Sequence, residues 1–373
     1  MVLLMVALLS FFLCHSSELE TYEVQFQQFV KEHNKNYVPG TTEYKRRFDI
    51  FVVSMYCFES FKSLKRIERL NTLRTHEESA IYGVTKFADL TPTEFEDRGM
   101  FEYTLAKFLL HYNVLMPTDK YLELRRLENE IENGLGLRRH KRDTYANDIV
   151  SKLPAKFPVR IDWRDKKVIS PVRNQGKCGA CWAYSTIETI EAMVAITTKK
   201  PLVELSVQQI IDCAAEDNHG CDGGDTCGAL SWMSDYNVKI QTAADYPMRD
   251  DAGDCRAVSP KTGVQIYSNF TCNNYTGDEI EMVKLLAEHG PLVAAVDAAS
   301  WQDYLGGIIQ YHCETKRNHA VQIVGYDISG EIPYYIVRNT WGTEFGLDGY
   351  LRIAIGKNLC GIAEEISAVD VKE

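Results

Sequence analysis

Beyond its first sixteen residues this 373-residue chain has no apolar run that approaches the length of a bilayer crossing, so no membrane span is expected after them. A basic surplus is missing as well. Its 41 lysines and arginines face 52 aspartates and glutamates, a formal charge of −11. That balance cannot neutralise a phosphate backbone, which excludes a nucleic-acid binder. A second close pair of cysteines is also lacking. In "NQGKCGACWAYST" (174–186) Cys178 and Cys181 stand three apart, but Cys213 and Cys221 are eight apart. A zinc site of finger-like spacing is therefore left without its other half. No parallel βαβ pattern surrounds the CxxC, as a redox dithiol requires. No metal and no cofactor is expected.

The apolar run that does exist, Val2 to Cys14, suits the core of a signal peptide over 1–16, with Ser16 as the small residue at its end. Two sequons, Asn269-Phe-Thr and Asn274-Tyr-Thr, agree with a secretory route to the lysosome or the cell exterior. Of eleven cysteines, Cys14 lies in the signal and Cys57 in the front part, and nine follow residue 153. Nine cannot all pair in an oxidising compartment, so one thiol is left over for chemistry.

The chain divides by texture. Residues after 153 hold 20 basic and 30 acidic side chains, so the front part is nearly neutral. Within the front part, Phe26, Phe29 and Val30 form one apolar stripe, and Pro39-Gly40 interrupts it. A second stripe runs through Phe48, Phe51, Met55, Phe58 and Phe61, at helical spacing. Residues 101–152 turn charged and weakly periodic, as an exposed linker does. After residue 153 one strong helix begins at Cys181, free of proline and glycine to about Thr197, with Ile187, Ile190 and Val194 along one side. "HAVQIVGYDI", "PYYIVRNTWG" and "GYLRIAIG" read as later strands. The expected class is α+β, in two halves.

A nucleophilic thiol needs a base, and the base needs an orienting group. His319 lies 138 residues after Cys181, and Asn339 follows 20 later. The motif Cys178-Gly-Ala-Cys181-Trp182 with that order and spacing resembles the papain family of cysteine peptidases over nearly the whole chain. "LSVQQIIDC" (205–213) and "SWQDYLGGIIQ" (300–310) carry a closer likeness to one cathepsin branch. The resemblance implies a helical left half, an antiparallel, barrel-like right half and a cleft between them.

The same likeness implies roles. Cys181 is the nucleophile, His319 the proton carrier paired with it as an ion pair, and Asn339 the group that fixes the imidazole. Trp341 would cover that hydrogen bond, and the amide of Gln175 would share an oxyanion hole with the Cys181 N–H. Gly223 and Gly224, in "GCDGGD", would let a substrate backbone come close. Cys178–Cys221, Cys213–Cys255 and Cys313–Cys360 are the implied bridges, which leaves Cys227 and Cys272 for a fourth. Glu365, five after Cys360, falls at the floor of the S2 pocket, and Arg317 at its wall. Glu365 would either pair with an arginine at P2, the second residue before the scissile bond, or be neutralised by Arg317.

The front part resembles an inhibitory propeptide. Glu43, Arg47 and Phe51 keep its helix spacing, with Ser54, Phe58 and Lys62 in place of the usual residues. "GVTKFAD" keeps Gly83, Phe87 and Asp89 but has Thr85 where asparagine is usual. The expected plan is signal peptide 1–16, propeptide 17–152 with a helical inhibitor region over about 20–100, and peptidase 153–373. Cleavage is expected after Arg142 in "RHKR" or near Leu153. The expected product is a monomeric endopeptidase made as a zymogen, with peptides and proteins as substrates. Its own propeptide and cystatin-type proteins would be its inhibitors. A non-catalytic binding protein on the same scaffold is the rival reading.

Overall fold

The structure, a computed structural model, describes residues 22–55, 71, 76–91, 94–95, 151–154 and 156–372, apart from 216–217, 250, 260, 312 and 314–315. The expected signal peptide, Cys57, Phe58, Phe61, Lys62, Arg142 and nearly all of the expected linker lie outside those residues.

The helices are α1 (22–32), α2 (Thr42–Met55), α3 (Cys181–Thr198), α4 (Val207–Cys213), α5 (Thr226–Asp235) and α6 (Glu279–Glu288). The strands in chain order are β1 (Ile81–Tyr82), β2 (Arg160–Asp162), β3 (Gln265–Ile266), β4 (Thr271–Asn273), β5 (Leu292–Val296) and β6 (Tyr304–Gly306). After them come β7 (Ile308–Ile309), β8 (His319–Asp327), β9 (Tyr334–Arg338), β10 (Tyr350–Ala354), β11 (Ile366–Ala368) and β12 (Val371–Lys372).

Pro39-Gly40 does separate α1 from α2, and their apolar stripes meet. Phe26, Phe29, Tyr44 and Phe51 are buried together with Ala88. The Phe26 ring lies 5.2 Å from that of Phe51. Each ring withdrawn from water contributes about 1.5–3 kcal/mol. The two polar motifs of the front part meet as well. Arg47 Nε donates to Glu43 Oε1 at 2.6 Å and Arg47 Nη1 to the Asp89 carbonyl at 3.0 Å. Fully buried Asp89 is held by Lys35 Nζ at 2.9 Å and by the Tyr37 hydroxyl.

Two further cores make the halves of the C-terminal part. The left one gathers α3, α4 and α5 through Trp182, Ile187, Ile190, Ile210, Leu230 and Met233. The right one is built on an eight-stranded sheet in the order β4-β11-β5-β8-β9-β10-β7, with β2 on β8. All its pairs are antiparallel except β10 with β7. The α+β class is as the sequence implies, although β1 and β2 precede α3 and α6 stands between β4 and β5.

One expectation changes in detail. The one-sided helix read from Ile187, Ile190 and Val194 is buried nearly all round. It packs on α5 and also on β8 and β5 of the other half. Its buried serine and threonines tolerate this because they bond within the helix. Ser185 Oγ donates to the Cys181 carbonyl and Thr186 Oγ1 to that of Trp182, both at 2.8 Å. Lys199 ends the helix in a left-handed conformation, its N–H on the Ala195 carbonyl.

Candidate active site

Cys181 is the first residue of α3, and Ala180 before it supplies no side-chain cap. The N–H groups of Cys181 and Trp182 are therefore open to the thiol, while those of Ala183 and Tyr184 are taken by the Ala180 carbonyl. Backbone N–H groups of Ala320, Trp182 and Cys181 itself face the sulfur. Ala320 is the neighbour of His319, the residue that opens β8, so the join between α3 and β8 brings thiol and imidazole segments together. Cys181 is the one free cysteine among the described residues. Cys178–Cys221, Cys213–Cys255, Cys227–Cys272 and Cys313–Cys360 are bonded.

His319 Nε2 lies 2.8 Å from Asn339 Oδ1. The same oxygen accepts from the Thr340 N–H at 2.8 Å. An amide oxygen only accepts, so Nε2 carries the proton, and in the neutral ring Nδ1 is left as the acceptor. Trp341 stacks on the imidazole with ring centres 4.8 Å apart. Trp301 stands edge-on to it at 6.0 Å. These indoles explain why His319 and Asn339 are both fully buried.

Burial sets the protonation here. It pushes the Cys181 thiol up to about 12, against the pull of the three N–H groups. It draws His319 down to about 4, against the Asn339 bond. Burial thus disfavours the charged form of both groups in this state, against the ion pair that the resemblance implies. The reason is desolvation, which charges both groups unfavourably before any mutual attraction acts.

Gln175 is also fully buried. Its Nε2 donates to the Cys178 carbonyl at 3.0 Å, and its Oε1 accepts from Thr340 Oγ1. Thr340 was given no part in the sequence reading, yet it ties the amide of Gln175 to Asn339. Its position between Asn339 and Trp341 was the available signal. Trp301 was missed in the same way, although it stands in the quoted "SWQDY".

Gly223 has φ +116°, a conformation that favours glycine. At Gly224 a Cβ would lie 2.5 Å from the Trp182 ring and 2.3 Å from Asn218 Oδ1, so its bareness serves packing in this state. Arg317 Nη1 bonds Glu365 Oε2, and Thr226 Oγ1 reaches Glu365 Oε1 at 3.4 Å. Burial, then Asp225, raises the Glu365 carboxyl above its ordinary range, while Arg317 opposes them. Asn269 and Asn274 are exposed.

The profile "Papain family cysteine protease" matches residues 157–369, and "Cathepsin propeptide inhibitor domain (I29)" matches 26–95. The chain belongs to the papain family of cysteine proteases. Among its relatives, Cathepsin O of Homo sapiens is 39% identical over 313 residues, covering 83% of this chain and 86% of that one. Cysteine proteinase 1 of Dictyostelium discoideum is 33% identical over 359 residues, with 92% and 91% covered. Digestive procathepsin L2 of the Tenebrio molitor larval midgut shares the fold at TM-score 0.69 and 28% identity, over 94% of this chain and 99% of that one.

This papain-family chain is therefore a protease in its proform, and its propeptide region meets the peptidase half. β1 pairs antiparallel with β6, through Ile81 with Gly306 and Tyr82 with Tyr304. Gln302 Nε2 donates to the carbonyls of Phe87 and Leu90, both at 3.0 Å. Thr85, in place of asparagine, donates to the Gln302 carbonyl. Phe87 and Phe95 pack edge-on against Trp341 at 5.7 and 5.3 Å, and Lys86 Nζ bonds its carbonyl at 2.6 Å. The propeptide thus covers the indole that covers His319. Among the described residues no helix is long and apolar enough to cross a membrane.

Proposed function

We propose that the mature protein is a cysteine endopeptidase acting through Cys181, His319 and Asn339. The observation that carries this reading is the His319–Asn339 bond, which leaves Nδ1 to take a proton from a thiol at the head of α3. When removal of the propeptide admits water, the desolvation cost falls. The α3 N-terminus then favours a thiolate and the thiolate favours an imidazolium. The sulfur attacks the peptide carbonyl carbon, and the oxyanion is met by the Cys181 N–H and the amide of Gln175. His319 gives its proton to the leaving amine as the C–N bond breaks. Water, deprotonated by His319, then cleaves the thioester and frees the acid and the thiol. Gly223 and Gly224 line the substrate backbone, and Trp341 shields the His319–Asn339 bond.

The same reading sets 1–16 as signal, 17–152 as propeptide and 153–373 as peptidase, cut after Arg142 or near Leu153. It places the protein in the secretory pathway, lysosomal or extracellular, with glycans on Asn269 and Asn274. It also gives a monomer open to cystatin-type inhibitors. The Arg317–Glu365 pair favours an S2 pocket neutralised from within, which takes Leu, Val or Phe.

Labelling of the activated protein with an epoxide thiol reagent tests the reading. One label per chain on Cys181, with loss of peptide hydrolysis, is expected. A Cys181→Ala form that still hydrolyses peptides would overturn it.

A further inference from the structure

Among the buried acids that the reaction steps leave unused, Glu188 stands out. Glu188 stands seven residues after Cys181, two turns along α3 and on the same helix face. It is 0% exposed, as is Arg338, whose Nη2 lies 3.0 Å from Glu188 Oε1. Arg338 is the last residue of β9, and Asn339 follows it directly. Arg173, two residues before Gln175, approaches the same Glu188 oxygen at 3.9 Å.

The surroundings show what the pair does. Arg338 Nη1 donates to Ser170 Oγ at 3.1 Å and to Gln322 Oε1 at 3.3 Å, and Nη2 donates to the Pro171 carbonyl. Glu191, one turn beyond Glu188, is already held by Arg173 Nη2, Ser170 Oγ and the Leu205 N–H, each at 2.6 Å. By contrast neither Glu188 oxygen accepts a hydrogen bond among the described residues. Its hold on Arg338 is charge alone. A buried pair of that kind adds little stability, because desolvation offsets the attraction. What it does is fix position across the join of the two cores.

We propose that Glu188 is a positioning residue for the peptidase reaction: through Arg338 it ties the helix that begins at Cys181 to the strand that delivers Asn339. The inference rests on the peptidase reading above for its effect on turnover, but the tie itself does not. The ionised pair draws α3 and β9 together, and protonation of Glu188 releases the pull. The charged and titratable groups around it are Arg338 from β9, Arg173 from the preceding loop, Glu191 from α3 and Tyr350 from β10. Burial pushes Glu188 up to about 7 against Arg338 and Arg173, with Glu191 adding to the rise. A carboxyl raised in the folded state favours folding in acid, and that contribution is lost as pH climbs from the ordinary carboxylate range through about 7.

The test compares the full chain with Glu188→Gln, which cannot ionise, and Glu188→Asp, which can. Melting temperatures of wild type and Glu188→Gln should coincide below about pH 4, part progressively between there and about pH 7, and stay apart above it, the Gln form melting higher. In the activated protein, kcat per epoxide-labelled Cys181 should fall about three- to tenfold in Glu188→Gln above pH 7, with KM unchanged and with no loss in acid. Glu188→Asp should follow the wild-type trend with pH. Melting curves parallel at every pH, or turnover lost only in proportion to labelled Cys181, would overturn the proposal. Curves that part while the wild type takes no label would uphold the tie and overturn the peptidase reading instead.

Discussion

At the scale of single residues the site separates chemistry from orientation. On the proposed mechanism His319→Ala removes the proton carrier and should abolish measurable hydrolysis. Asn339→Ala leaves the carrier and removes its hydrogen bond. A bond to a charged group is worth about 1.5–3 kcal/mol, so kcat should fall about 10- to 100-fold. Steady-state kinetics per labelled Cys181 distinguish the two, and equal losses would contradict the assigned roles. Glu365 makes a second residue-level case. Its pair with Arg317 should leave the wild type preferring Phe over Arg at P2. Arg317→Ala frees the carboxylate and should raise the ratio of kcat/KM for Arg-Arg over Phe-Arg peptides. Glu365→Ala should lower it. A ratio unmoved by either change means that neither side chain reads P2.

At the scale of elements, the propeptide depends on a few buried polar ties between α1, α2 and the segment after β1. Asp89→Ala strands Lys35 and the Tyr37 hydroxyl, and should destabilise the propeptide by about 2 kcal/mol. Faster loss of the propeptide in acid, followed by gel, is the check. Much of this level was legible beforehand. Pro39 and Gly40 broke the helical pattern, and apolar runs bounded by Gly or Asp turns marked β8, β9 and β10. Cys181, His319 and Asn339 were read from motif and spacing, a route that needs no knowledge of packing. What stayed hidden depended on contacts between distant segments. The periodicity of α3 pointed to one apolar face, and nothing local told that Glu188 and Glu191 would be buried with it. The layered stack of Phe95 on Trp341 on His319 joins residues more than 200 positions apart, so no window along the chain contains it. The depth at which Cys181 and His319 are buried, which disfavours charge on both, was hidden for the same reason.

At the scale of the whole molecule, acid bears on the two parts in opposite directions, loosening the propeptide while it relieves buried Glu188 of its charge. Burial works against the charge on Glu94, but the Thr91 N–H, Arg46 and Arg47 hold its carboxyl down at about 2. A depressed carboxyl contributes stability above its unfolded value, and the contribution is lost as pH falls from about 4 towards 2. The propeptide should therefore loosen in that window, and Glu94→Gln should loosen it already at neutral pH. Protease-sensitivity of the propeptide against pH measures this, and an unshifted profile would exclude Glu94 from the response. Meanwhile the depth of Cys181 has a consequence for how the protein is made. The chain closes four disulfides among the described residues, one of them at Cys178, three residues from the free thiol. Exchange proceeds through thiolate, and a sulfur held near 12 offers almost none at neutral pH. Burial of Cys181 in the proform thus spares its bridges attack by the free thiol. A chain that folds without its propeptide should mispair, with Cys181 captured in mixed disulfides.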